Sequence, residues 1–428
     1  MNPTEEEQFT RRHSRIYEMI ILGAPFQFLL GIFLILSISI VPKWGIYFWN
    51  TIDSNSIYSL LGVIVIFFIN LITLEKIIKF PGAKALSYIL PTTTILMGLL
   101  IGFFLIYRIY YSTQILIFSY ISLLLFFIGN YFINNRYRIN RYALIPFGEA
   151  LEFSDYHGAL FSILKEPDLK DQRFNAIVAD LRSPDLSPEW ERFLAKCTLS
   201  RIPVFHTKQL KESFMGRVKI DHLSENEFGS LMPSMTYEYI KRLTDLIMVI
   251  LLFPIFIVIL LIFSLWIKLD SRGPIFFSQK RMGYRGRIFT MYKLRSMYTD
   301  KLGTGFTGEK EDPRITKVGK IIRKFRIDEL PQIINVLKGD MSFIGPRPES
   351  FELSKWYEKD VPFFAYRHIV RPGLSGWAQV NQGYAAEVDG MKVKLEYDFY
   401  YIKNFSFWLD VLIGFKTVRI ILTGFGAR

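Results

Sequence analysis

Four apolar runs open the chain, at Met19 to Val41, Ile57 to Leu74, Leu86 to Tyr107 and Ile115 to Ile133. Each is near the ~20 residues that cross a bilayer as a helix. Cations cluster before the first (Arg11, Arg12, Arg15), between the second and third (Lys76, Lys79, Lys84) and after the fourth (Arg136, Arg138, Arg141). The other two connections carry Lys43 and Arg108. The positive-inside rule therefore puts both ends of this bundle in the cytoplasm. No small-residue cleavage site follows the first run and further spans come after it, so it is not a removable signal. None of the four holds an acidic residue or a lysine in its core, which argues against a proton or ion pathway and for an anchor or assembly surface.

From Ala143 to Ser234 the pattern changes to that of a soluble domain. Phe174 to Leu181 and Ile202 to Phe205 read as short buried strands, and Ser187-Pro188-Glu189 reads as the start of a helix through Trp190, Phe193 and Leu194. Strand, helix, strand predicts a small α/β, Rossmann-like unit with a parallel sheet and a structural or regulatory role. No G-x-G-x-x-G follows a strand, so a dinucleotide site has no support. His206 reads as a satisfied loop histidine.

A fifth apolar run, Leu243 to Leu269, has Asp245 near its start and Pro254 near its middle. Cations flank both ends (Lys241 and Arg242, then Lys268 and Arg272), so the charge rule gives a crossing no direction. A crossing would also export everything that follows. The expected form is a re-entrant helix-break-helix hairpin over residues 243–269, with its bend at Pro254. The chain thus divides into a four-helix transmembrane bundle (1–142), an α/β domain (143–234) and an α-rich domain carrying the hairpin (235–428).

Beyond the fifth run, two extended segments around a glycine-flanked turn, Gly273 to Met297, predict a β-hairpin, with Lys293 and Arg295 on one face. Thr304 to Pro313 is glycine-rich and polar, and reads equally as a lid or as disorder. Val318, Ile321, Ile322 and Phe325 recur at helical spacing among Lys317, Lys320, Arg323 and Lys324. Such a basic amphipathic helix suits an anionic lipid surface, and equally a soluble helix with its apolar stripe turned inward.

Composition agrees with membrane insertion: 428 residues, 50% hydrophobic and 16% aromatic. The formal charge of +13 fits anionic lipid or phosphorylated substrates, and no RNP-type signature supports nucleic acid. The single cysteine, Cys197, excludes an intrachain disulfide, and the five histidines show no zinc spacing.

The candidate chemistry centres on Arg326-Ile327-Asp328-Glu329-Leu330-Pro331-Gln332. A helix beginning near Asp328 puts Pro331 in its first turn and Asp328 near the N-cap, where free N–H groups favour an anion. Downstream, Gly345-Pro346-Arg347-Pro348-Glu349 fixes an arginine between two prolines, suited to bidentate contact with phosphate oxygens. Arg371-Pro372-Gly373-Leu374-Ser375-Gly376-Trp377-Ala378-Gln379 is a turn-rich loop of the kind that lines binding sites, which makes Arg371 and Gln379 candidates. Tyr397 to Ile402 and Trp408 to Thr417 read as aromatic-rich helices, at a bilayer surface or in a core.

These pieces in this order, from Lys241 to Gly424, resemble the bacterial sugar transferase family, the monotopic phosphoglycosyl transferases, in its long form. The resemblance implies transfer of a sugar 1-phosphate from a nucleoside diphosphate sugar, a UDP-sugar first of all, to undecaprenyl phosphate at the cytosolic face of the bacterial inner membrane. It implies Asp328 as nucleophile of a covalent phosphosugar intermediate, Glu329 as its partner on Mg2+ or in proton transfer, and Lys293, Arg295, Arg326 and Arg347 around the phosphates. Asp398 is a third carboxylate candidate. One departure is Phe253 before Pro254, where a small polar residue is frequent. The product would feed capsule, O-antigen or exopolysaccharide synthesis, with membrane lipid as surroundings and a homodimer or downstream glycosyltransferases as partners. The competing expectations are a membrane phosphatase using the same Asp, and a non-catalytic scaffold.

Overall fold

The computed structural model describes residues 20–21, 23–45, 53–137, 140–155, 159–170, 172–219, 232–299, 312–382 and 388–423. Of Thr304 to Pro313, only Asp312 and Pro313 fall within them. Contacts divide the chain into residues 1–215 and 216–428.

In the first unit the four apolar runs are four helices: α1 Ala24–Trp44, α2 Ser54–Ile78, α3 Ala85–Ile106 and α4 Thr113–Tyr137. Helix α1 packs on α4, α2 on α3, and α3 on α4. In lipid such contacts depend on close approach and interhelical hydrogen bonds rather than on water exclusion. Both are present. Phe67 is fully buried and stacks on Phe28 at 5.8 Å, over Gly31, where a Cβ would lie 2.2 Å from the Phe67 ring. Ser39 bonds Ser119 at 2.8 Å and Asn70 donates to Thr93 at 2.7 Å.

A parallel sheet follows, in the order β2-β1-β3-β4: β1 Arg141–Leu144, β2 Leu160–Ile163, β3 Ala176–Ala179 and β4 Val204–His206. Its helices are α5 Pro188–Leu199 and α6 Thr207–Met215. Strand β3 is buried along its whole length because both faces are covered. Ile177 packs with Trp190 and Phe193 on one side, Val178 with Phe153 and Leu210 on the other. The sheet starts at Arg141, so the expected boundary at 143 cuts its first strand; β1 and β2 have too little alternation to be read in advance. His206 accepts the Lys208 N–H at Nδ1 (3.1 Å), a local turn contact.

The second unit is built on α7, Met235–Asp270, whose Ser234 hydroxyl caps it by accepting the Tyr237 N–H. Here expectation and structure differ. The helical backbone runs on through Pro254, so the two helices expected around a break are one helix of 36 residues. A proline removes a single N–H and crowds one carbonyl, which bends a helix more readily than it ends one. Residues on both sides of Pro254 pack on the same domain. Val249 and Phe256 join Phe289, Ile333 and Val336, while Leu260, Phe263 and Ile267 join Leu294, Val318 and Ile322. The intervening face, with Leu251, Val258, Leu261 and Leu265, is exposed.

Strands β5 Phe276–Met282 and β6 Ile288–Leu294 form the expected antiparallel hairpin. Helix α8, Lys317–Lys324, leads through a 3-10 segment, Ile327–Gln332, into α9, Ile333–Lys338. The α8 stripe divides: Val318 and Ile322 are buried, Ile321 and Phe325 exposed. A short parallel pair, β7 Ser342–Ile344 and β8 Gly373–Ser375, and helices α10 Phe351–Asp360, α11 Trp377–Asn381, α12 Val388–Lys403 and α13 Phe407–Thr423 complete the unit. Tyr400 and Tyr401 on α12 and Leu409 and Leu412 on α13 are buried, so those positions are core. Residues 216–219 belong here as well, since Trp377 Nε1 donates to the Gly216 carbonyl (2.8 Å) and Val218 N–H to the Glu396 carbonyl (3.0 Å).

Candidate active site

Asp328 and Glu329 lie in the first turn of the 3-10 segment, not at the N-cap of an α-helix, and Pro331 lies inside that segment. The N-cap position is taken by Arg326, in the left-handed region at φ 55°. Glycine is the usual residue there, because a Cβ costs about 1 kcal/mol. An arginine at this turn brings its guanidinium to 3.9 Å from Glu329.

Both carboxylates are buried, at 8% and 9% exposure, but their surroundings are opposite. Arg347 grips Glu329 with two nitrogens, Nη1 donating to Oε2 at 3.1 Å and Nη2 to Oε1. Lys293, on β6, donates to Oε1 at 3.3 Å. Burial opposes the Glu329 charge, yet Arg347, Lys293 and Arg326 outweigh it and hold the carboxyl well below the usual range. Asp328 accepts no hydrogen bond from the described residues. Burial and the neighbouring Glu329 charge push its carboxyl up to about 6, with Lys293, Arg347 and Arg323 opposing. One carboxylate is thus permanently charged and tied down, and its neighbour is ionised at neutral pH and uncommitted.

Lys293, Arg326 and Arg347, which the resemblance groups around the phosphates, lie around this pair. Arg295 is not. Strand β6 ends at Leu294, and Arg295 turns away to donate to the Ser271 carbonyl (2.6 Å), the Ser271 hydroxyl (2.8 Å) and the Arg272 carbonyl (2.9 Å). It satisfies the end of α7, where helix carbonyls lack partners. Arg371 bonds Glu238 (2.9 Å) and the Gly339 carbonyl (3.2 Å), which fastens the start of α7. Gln379 Oε1 is buried without a hydrogen bond among the described residues. Asp398 pairs with Arg367 at 2.8 Å behind Arg347, and burial raises its carboxyl while Arg367 lowers it.

Sequence reasoning missed Arg281, Arg367, Glu349 and Lys394. Arg281 Nη1 donates to the Pro348 carbonyl (3.0 Å), and its guanidinium is lowered to about 10 by burial and by Arg347. Lys394 and Arg367 hold Glu349 at about 2 against its burial. Glu349 was visible beside Pro348, but nothing in the sequence linked it to residues on β5 or α12. Among the described residues there is no group of three His, Cys, Asp or Glu side chains able to hold a metal. Glu329 does not fit Mg2+ in this arrangement, because both its oxygens are engaged by Arg347. Asp328 does fit, as the single carboxylate that Mg2+ commonly combines with substrate phosphates.

A family profile described as bacterial sugar transferase matches residues 236–424. A UDP-N-acetylgalactosamine-undecaprenyl-phosphate N-acetylgalactosaminephosphotransferase of Aeromonas hydrophila is 49% identical over 422 residues, 98% of this chain and 100% of the relative. The chain belongs to the bacterial sugar transferase family. Two further relatives, both named UDP-glucose:undecaprenyl-phosphate glucose-1-phosphate transferases, match over a shorter span. That of Xanthomonas campestris is 41% identical over 186 residues, 42% of this chain and 38% of its own. That of Caulobacter vibrioides is 39% identical over 198 residues, 46% of this chain and 74% of its own. The protein is therefore a long-form member of a family of membrane-associated phosphoglycosyl transferases, and its described residues include five helices long and apolar enough to cross a bilayer. Its carboxylate pair, Lys293 and Arg347 all lie inside the matched span.

Proposed function

We propose that this transferase moves a sugar 1-phosphate from a UDP-sugar to undecaprenyl phosphate through a covalent intermediate on Asp328. The carrying observation is the division of labour between the two adjacent carboxylates. Arg347 and Lys293 consume the charge of Glu329, while Asp328 has no donor among the described residues and is ionised above about pH 6.

In the first displacement an Asp328 oxygen attacks the phosphorus that bears the sugar. The bond from that phosphorus to the bridging oxygen breaks, and UMP leaves with the electron pair. In the second, an oxygen of undecaprenyl phosphate attacks the same phosphorus and the Asp328–phosphorus bond breaks, restoring the carboxylate. Splitting the transfer in this way is the advantage of covalent catalysis. Positioning and charge stabilisation dominate phosphoryl transfer, which gives Lys293, Arg326 and Arg347 their work around the diphosphate. Mg2+, bound by Asp328 and the substrate phosphates, would neutralise charge as the diphosphate separates. The name of the Aeromonas hydrophila relative makes UDP-N-acetylgalactosamine the first donor to test.

The acceptor is a lipid, and the surroundings of Asp328 suit one. Ile321 on α8 and Phe325 at its C-cap before the pair, and Ile334 and Leu337 on α9 after it, are exposed apolar side chains. The attachments of helix α7 support a helix that does not cross the bilayer, with the catalytic domain at the cytosolic face. A straight helix of its length would span roughly 54 Å. Yet its start bonds Asp410 through Tyr237 and Lys241 (2.5 Å each), and its end accepts the Val318 N–H at Asp270 (3.2 Å). Both polar ends fastened to one soluble domain are incompatible with delivering them to opposite sides of ~30 Å of hydrocarbon.

The test is incubation of membranes with Mg2+, undecaprenyl phosphate and a panel of UDP-sugars. UMP release that requires the lipid is expected, with a radiolabelled phosphosugar trapped on wild-type protein when the lipid is withheld. Free sugar phosphate would instead mean hydrolysis, and silence across the panel from a folded protein would mean a scaffold. A cysteine introduced near Arg428 should be shielded from impermeant external reagents in intact cells; labelling there would overturn the cytosolic placement.

A further inference from the structure

The loop Gly345 to Glu349 is held from behind at three successive carbonyls. Arg367 Nη2 donates to the Arg347 carbonyl (2.8 Å), Arg281 Nη1 to the Pro348 carbonyl (3.0 Å) and the Met282 N–H to the Glu349 carbonyl (3.3 Å). The donors come from two different parts of the fold, a 3-10 segment over Phe364–Ile369 and strand β5. Pro346 and Pro348 already restrict the backbone on either side of Arg347. The orientation of Arg347 is therefore determined twice, once by its own loop and once by this rear clamp.

Arg367 is the most deeply placed of these donors. Its side chain and that of Asp398 are each 1% exposed, and they pair at 2.8 Å. As a stabilising device the pair is poor: among the described residues Arg367 Nη1, 3.6 Å from Glu349, and Asp398 Oδ1 are buried without a hydrogen bond, and a buried ion pair that is only partly satisfied seldom repays its desolvation. What the pair does accomplish is to aim one guanidinium nitrogen at the carbonyl of the residue that grips Glu329.

We propose that Arg367, oriented by Asp398, is a positioning residue that sets Arg347 for the transferred phosphate, and that neither Arg367 nor Asp398 touches substrate. This rests on the reading of Arg347 as a phosphate-holding residue. It reassigns Asp398, expected as a third reacting carboxylate, to a place behind the site.

The test is a double-variant cycle on the full-length protein in membranes, reading kcat for lipid-dependent UMP release. Arg347→Lys keeps a cation and loses the two-nitrogen grip, so it supplies a weakened but measurable background. Asp398→Asn, nearly isosteric, and Arg367→Lys should each lower kcat in the wild type by up to about 100-fold, the cost of misplacing a group near the chemistry. In the Arg347→Lys background each should cost no more than about twofold further, because residues acting through one another are not additive. Full, additive losses in both backgrounds would overturn the inference and return Asp398 to a direct role. Should Arg367→Lys fail to fold, the Asp398→Asn cycle decides alone. Should Arg347→Lys itself behave like wild type, it is the phosphate-holding reading of Arg347 that fails, a result distinct from additivity.

Discussion

Two clusters of charge meet back to back at Arg347, whose guanidinium belongs to one and whose carbonyl belongs to the other. The rear cluster is closed: Arg367 and Lys394 stand against Asp398 and Glu349, and each carboxylate has a cation within 2.8 Å or less. The front cluster is open. Lys293, Arg326 and Arg347 converge on Glu329, while Asp328 beside it has no donor among the described residues. The same residue types thus give a support where each carboxylate is paired with a cation, and a reactive centre where one carboxylate has no donor among the described residues. Enzymes place perturbed carboxylates where function requires them and accept the cost in stability.

The sharpest way to break this contrast is to remove the withheld charge. Asp328→Asn should lower lipid-dependent UMP release by at least about 10³-fold, as loss of a nucleophile does. It should also make the protein more stable at neutral pH. The folded carboxyl is raised to about 6, so its stabilising contribution is present in acid and lost as pH rises through that value. Relieving a shift of this size is worth on the order of 3 kcal/mol well above pH 6 and nothing below about pH 3. A thermal-unfolding series against pH, with no gain for the variant at pH 7.5, would contradict the account of Asp328 as a buried, uncommitted anion.

Glu329→Gln is the counterpart, and it should lose on both counts. Without the carboxylate charge Arg347 and Lys293 lose their partner, so kcat should fall by roughly 10²-fold and stability by on the order of 3 kcal/mol. The pH sign is reversed. A carboxyl held below its usual range stabilises the fold above that range and stops doing so on acidification. Loss of activity with unchanged unfolding at pH 7.5 would mean that the Arg347 grip contributes nothing to the folded state.

A smaller effect concerns the pH profile of the wild type. Since the proposed nucleophile is the ionised form, kcat/KM should fall on the acid side with a midpoint near 6, the value given by burial and the Glu329 charge. A profile flat down to pH 5 would show that Asp328 titrates like an exposed carboxyl.

Much of this organisation is legible in the chain itself, and the failures have physical reasons. The four apolar runs became helices because each is long and free of charge. The β-hairpin followed from turn chemistry, and Arg347 from its two prolines. Short parallel strands such as β1 and β2 leave only four residues each of weak pattern. The 3-10 geometry at Asp328 depends on Arg326 taking a left-handed conformation that sequence assigns to glycine. The rear cluster was invisible because its members, from positions 349 to 398, meet only through tertiary packing. Arg295 was misplaced because strand periodicity was carried one residue past the end of the strand.

That last residue supplies the mildest test. If Arg295 serves the end of α7 rather than the substrate, Arg295→Gln should lower stability by about 1–3 kcal/mol, the range for hydrogen bonds to a charged group, and leave the donor KM within about twofold. Gly273 allows an independent approach from the other side of the same contact. It sits at φ +127°, and a Cβ there would lie 2.1 Å from Arg295 Nη1, so Gly273→Ala should displace the guanidinium and reproduce the loss of stability. The two variants together should cost little more than either alone, because both undo one contact. A rise in donor KM of tenfold or more in Arg295→Gln, with unfolding unchanged, would restore Arg295 to the phosphates and extend the open cluster to the foot of the long helix.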